Sequence, residues 1–143
     1  MARQIRKHAG TKGNVLVETC LIFIAFTVML IGIFDFGQFL FVHQALIERA
    51  RYAARWAAVH TPPDTTQIQN VVLYFQQDAP TGATGYFGLT PSMVDVSTAD
   101  PNTDNYRVNI LIHDYQYHVI SPYIAGTYLG PNIKVTLALA SNF

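Results

Sequence analysis

The sequence predicts an α+β fold: one long N-terminal helix, able to cross a membrane in its first half, packed by a short helix and a small antiparallel β-sheet. Three observations carry this. Val15–Phe34 is an apolar run of twenty residues whose only charge is Glu18. The helical pattern continues beyond it without a proline until Thr61-Pro62-Pro63. The last third of the chain alternates apolar and polar residues with a period of two, as strands with one buried face do.

At about 1.5 Å per residue the apolar run spans roughly 30 Å, the thickness of a hydrocarbon core. It is too long for the apolar centre of a secretory signal, and no A-x-A cleavage site follows it in residues 35–60. A carboxylate inside such a run is unfavourable, by roughly 3 kcal/mol near the bilayer centre, so Glu18 asks for a reason. A second acid, Asp35, stands at the far end of the run. Arg3, Arg6, Lys7 and Lys12 precede it with no acid among them, and the rest of the 143-residue chain carries five basic residues against nine acids. A basic stub before an apolar span stays cytoplasmic, so the part after the span is expected to be exported. No basic patch follows residue 13, which sets nucleic-acid binding aside.

The second half of the long helix changes character. Ala50, Ala53, Ala54, Ala57 and Ala58 make a small-residue face, with Arg51 and Arg55 one turn apart beside it. Such a face admits close approach by a sheet or a neighbouring chain; Tyr52 and Trp56 are read as core anchors. After the prolines, Asp64 or Thr65 is expected to cap a short helix with Ile68, Val71, Val72 and Phe75 as its apolar stripe. Residues 80–91 read as a flexible glycine-containing loop; Gly82, Gly85 and Gly88 neither follow a strand nor lead to a Lys-Ser/Thr pair, so they are no phosphate cradle.

Three strands follow: around MVDVS, then YRVNILIH with Tyr106, Val108, Ile110 and Ile112 on one face, then IKVTLALA with Ile133, Val135, Leu137 and Leu139. At Asp114 the alternation slips by one and Tyr115, Tyr117 and Val119 take over, which predicts a bulge or strand end. Turns are expected at residues 101–105 and around Gly130-Pro131. The sheet needs a cover, which the alanine face supplies. Residues 61–143 are too few to build a secure core without that helix.

No catalytic, cofactor-binding or metal-binding set is recognisable. His113 and His118 fall on opposite faces of a regular strand, and His43 and His60 are too far apart to pair. Asp95, Asp100, Asp104 and Asp114 are spread over turns and strand edges and read as solvated surface. Cys20 is the only cysteine, so no internal disulfide forms.

The stretch G-N-V-L-V-E, residues 13–18, resembles the processing site of type IV prepilins: a basic leader, a glycine, then glutamate five residues later in an apolar helix. The continuation IGIFDFGQFLFVHQALIERARYAARWAAV resembles the TadE-like family, pseudopilins of the tight-adherence (Tad) pilus system. The residues that carry it are Gly32, Asp35, Gly37, Gln44-Ala45-Leu46, Ala50-Arg51 and Ala53-Ala54. Thr19 stands where the family often has an aromatic, Ala25 where it has proline, and Asn14 where type IV pilins favour phenylalanine.

The resemblance implies a pilin-like fold with a leader at 1–13, a long helix at 14–60 and an exported part at 61–143. It implies cleavage between Gly13 and Asn14 by a prepilin peptidase, with Glu18 and Asp35 as assembly residues and Ala50, Ala53, Ala54 and Ala57 as helix-packing residues. The partners implied are identical or related pilin subunits, the peptidase, an inner-membrane assembly platform and, before assembly, membrane lipid. Glu18 then has its reason: cleavage creates an amino group on Asn14, about one helical turn away or on an adjacent subunit, to pair with the carboxylate. The rival readings are a permanently anchored single-pass scaffold of a secretion or pilus assembly machine, and an anchored enzyme or ligand-binding domain.

Overall fold

The computed structural model describes residues 11–60, 64–100, 103, 105–119 and 126–139. Helix α1 runs unbroken over Thr11–Val59. It already contains Gly13 and Asn14, so the expected start at Asn14 is not marked by any break in the backbone. The basic residues Arg3, Arg6 and Lys7 and the prolines at 62 and 63 lie outside the described residues.

Helix α2 spans Thr65–Tyr74. Asp64 is its cap, its carboxylate accepting from the Thr66 N–H at 2.8 Å. The helix ends because Phe75 turns left-handed, with φ of 65°, and donates its N–H back to the Val71 carbonyl. Ile68, Val71 and Val72 are buried as expected, but Phe75 is not in that stripe. Its left-handed turn throws it onto the surface, and Leu73 fills the core instead.

Strands β1 (Val94–Ala99), β2 (Arg107–Ile112) and β5 (Ile133–Ala138) form an antiparallel sheet with β2 in the centre. Val96 faces Ile110 and Ile110 faces Val135, which carries one apolar face across all three strands. Val108, Ile110 and Ile112 are buried under it. The slip at Asp114 is real: the residue has φ of 53° and ends β2, after which Tyr115 and Tyr117 point inward. An unexpected second ribbon pairs β3 (Gln116–His118) with β4 (Thr127–Leu129). The sequence reading stopped at three strands because three residues are too few to show a period. The turn at residues 101–105 falls partly outside the described residues.

The core lies between this sheet and the far half of α1. Val42, Leu46, Ala50, Ala53, Ala54 and Ala57 recur at three- and four-residue spacing and are all buried, packed against α2 and the sheet. Small side chains let the helix lie close to the strands, while the larger Leu46, Ile68, Leu73 and Ile110 fill the volume around them. The segment between α2 and β1 is not the loose loop the glycines predicted. Gly85 is buried where a side chain would collide with the Leu89 backbone, and Leu89 is a core residue.

Candidate functional site

The near half of α1 has no cover from its own chain. From Val15 to Phe36 its large apolar residues are exposed, save the half-buried Ile31, with Leu16 at 67 % and Phe34 at 70 %. Among the described residues α1 is the one helix long and apolar enough to cross a membrane. Its hydroxyls suit such a setting: Thr19 donates to the Val15 carbonyl and Thr27 to the Phe23 carbonyl, both at 2.8 Å, so neither needs water. Gly13, Asn14 and Glu18 share the exposed first turns. Glu18 and Asp35, seventeen residues apart, are separated by roughly 25 Å along the axis and about 100° around it. The fold therefore does not bring the two acids together.

Asp35 is half-buried and lines a groove of about 620 Å³ between α1, the turn carrying Phe87, and the β3–β4 ribbon. The ribbon is fastened to α1 through Tyr117. Its hydroxyl shares a 3.0 Å hydrogen bond with His43 Nδ1, and its ring lies against Phe39 with centroids 4.6 Å apart. Gly130 is required here, because a Cβ at that position would run into the Tyr117 ring. Tyr115 donates its hydroxyl proton to the Phe87 carbonyl at 2.8 Å and so fixes the turn on the other side of the groove. Burial pushes the Tyr115 phenol up, and burial followed by the neighbouring Tyr115 pushes Tyr117 up, so both stay neutral.

On the far half of α1, Ala50, Ala53, Ala54 and Ala57 sit under the sheet and α2. Beside them the Arg49 guanidinium is sandwiched, 3.7 Å from the Tyr86 ring centre and 4.5 Å from that of Phe75. Burial lowers its pKa, opposed by Tyr86, yet a guanidinium remains charged. Arg49 thus ties the Gly85–Leu89 turn to the helix. Tyr52 is not the core anchor the sequence suggested, whereas Trp56 is half-buried and packs against the core. Tyr52 stacks on Phe75 at the surface and Trp56 stacks on His60.

Sequence reasoning passed over Phe39, Arg49 and Tyr86, and gave His43, Tyr117 and Gly130 no shared role, because their partners are remote in the chain: 74 residues separate His43 from Tyr117. Only the Asp114 slip, which aimed both tyrosines inward, hinted at the ribbon. The acids read as solvated surface are exposed, but three of those described are also paired. Asp100 meets Arg107 at 3.0 Å, and His113 lies between Asp114 at 2.8 Å and Asp95 at 3.2 Å. Among the described residues no three His, Cys, Asp or Glu side chains gather as metal ligands.

A helix long and apolar enough in its near half to cross a membrane, and clamped under an α+β head in its far half, suggests single-pass membrane anchoring. Residues 13–55 match the family described as TadE-like protein, the family that the Gly32–Ala54 pattern resembles. The match ends within α1, so the sheet and ribbon lie beyond it. The match, which covers less than half of the chain, suggests a component associated with the Tad pilus. No curated protein and no solved structure matches the chain.

Proposed function

We propose that this chain is a pilin-like structural subunit that assembles through α1 into a Tad-type pilus or its initiating complex, serving adhesion or secretion. The observation that carries the reading is the near half of α1: apolar on every side, uncovered by its own chain, and bearing one carboxylate near its start. In lipid that surface is satisfied. Once the helix leaves the bilayer, only other helices of the same kind can satisfy it along its length.

In this reading a prepilin peptidase cuts between Gly13 and Asn14 on the cytoplasmic side, the head is exported, and Glu18 pairs with the new amino group of Asn14 in the assembled bundle. Asp35 marks the end of the bundle's apolar stretch. Before assembly the chain resides in the inner membrane; afterwards it belongs to an extracellular or envelope filament.

Glu18→Ala tests this. Removing a charge from an apolar run favours insertion if anything, so the amount in the membrane should hold while sheared filaments disappear. Glu18→Gln keeps the shape but loses the ion pair; leaving one partner of a buried pair alone costs about 3–5 kcal/mol, so it too should stop polymerisation. N-terminal sequencing of sheared protein should begin at Asn14. Normal filaments from Glu18→Ala would overturn the pairing and move the anchored scaffold ahead.

A further inference from the structure

The helix register places one part of the head at a definite depth. The apolar run ends at Phe34, and Phe41 lies about 10 Å further along the axis; helical side chains lean toward the N-terminus, so its ring reaches back to the outer edge of a headgroup layer about 5–8 Å deep. At that level the head closes around α1 and presents apolar side chains outward. Phe41 is 64 % exposed and meets Phe87 edge-on, with ring centroids 6.0 Å apart; Phe87 is itself 40 % exposed. Across the groove, the ribbon presents Tyr128, 48 % exposed.

We propose that this collar of Phe41, Phe87 and Tyr128 is a lipid-docking surface, which seats the head on the membrane leaflet remote from the N-terminus. The occupant follows from continuity: the collar extends, without an intervening Lys or Arg, the apolar surface that α1 already presents to lipid. Its composition suits the site. Aromatic side chains are the ones enriched at headgroup level, and Asp35, Gln38 and His118, which line the groove beside them, are polar groups that hydrated headgroups can solvate. A short apolar ribbon and turn exposed to water on an isolated head would be a standing liability; seated on lipid they add to the hold of the single span. Docking rests on the membrane anchoring alone and is common to the filament subunit before assembly and to the anchored scaffold.

The full chain, with Trp56→Phe removing the native emitter, is reconstituted at low protein content in phosphatidylethanolamine–phosphatidylglycerol vesicles. A fraction of the lipids carries bromine high on the acyl chains. Tyr128→Trp and Phe87→Trp should each lose emission to the brominated lipid. Native Trp56 in the parent chain, roughly 33 Å beyond Phe34, should not. A fluorophore on Cys20 reports insertion independently. If Cys20 is quenched while both introduced tryptophans are as insensitive as Trp56, the head stands clear of lipid or a second copy covers the collar, and docking is overturned although anchoring stands. If Cys20 is not quenched either, anchoring and docking fall together.

Discussion

The two halves of α1 belong to one continuous helix and are built on opposite plans. Up to Phe36 the side chains are mostly large, apolar on all sides and exposed, with Glu18 and the half-buried Asp35 the only charges past Lys12. From Val42 onward the face toward the sheet shrinks to alanine and is fully buried, while Glu48, Arg51 and Arg55 occupy the rest. What separates the halves is therefore how the apolar surface is disposed rather than whether the residues favour a helix. A ring of it needs a surrounding solvent of lipid or other helices; a stripe of it needs one partner, and the sheet is that partner.

The largest test of this contrast is a matched pair of truncations. Leu46→Ala empties a fully buried site and should lower stability by about 2–5 kcal/mol, read as a lower melting temperature of the full chain in detergent. Leu21→Ala, in the exposed half, should leave the melting temperature of the head unchanged. Equal losses from both would mean that the near half supports the head.

A second pair inverts the change. Ala54→Leu overpacks the contact with the sheet and α2 and should cost about 1–3 kcal/mol, whereas Ala25→Leu adds volume to an open surface and should cost nothing measurable in the same experiment. An unshifted melting point for Ala54→Leu would show that the helix and sheet can separate without penalty.

The smallest effect lies in the sheet that grips the far half. The hydrogen bond to Asp114 raises the His113 pKa above its ordinary 6.5; desolvation opposes it, and the charges of Asp95 and Asp114 add to the rise. A raised pKa means the folded state holds the proton more tightly. The resulting stabilisation is present in full below 6.5 and is lost as pH rises through the raised value. Melting curves taken from mildly acidic to mildly alkaline pH should show this loss, and His113→Gln should flatten it. The near half of α1, with no histidine, should not contribute to that dependence.

These contrasts also explain what the sequence could reveal. The long helix, the alanine stripe, the three main strands and the Asp114 slip are patterns within one segment, and each was legible from spacing. The groove was not, because it is made by pairs remote in sequence: Tyr117 on His43, Tyr115 on Phe87, Arg49 between Tyr86 and Phe75. Phe75 was misplaced because a left-handed residue at a helix end carries no periodic signal when it is not glycine. Tyr52 was misread because a large aromatic was equated with burial, whereas here the alanines lie inside and its ring stacks on Phe75 outside them.

Because α1 has no interruption between its free half and the half held under the sheet, the head fixes a compass bearing for every residue of the anchor. Each residue step turns the helix by about 100° and advances it about 1.5 Å, so the angle between Glu18 and the groove is set by counting alone. Inserting a single alanine between Asp35 and Val42 would swing the head about 100° relative to Glu18 while lifting it hardly at all. Inserting four would restore the bearing to within about 40° and raise the head by one turn. Azimuth and height of the head are thus separately encoded in one stretch of helix.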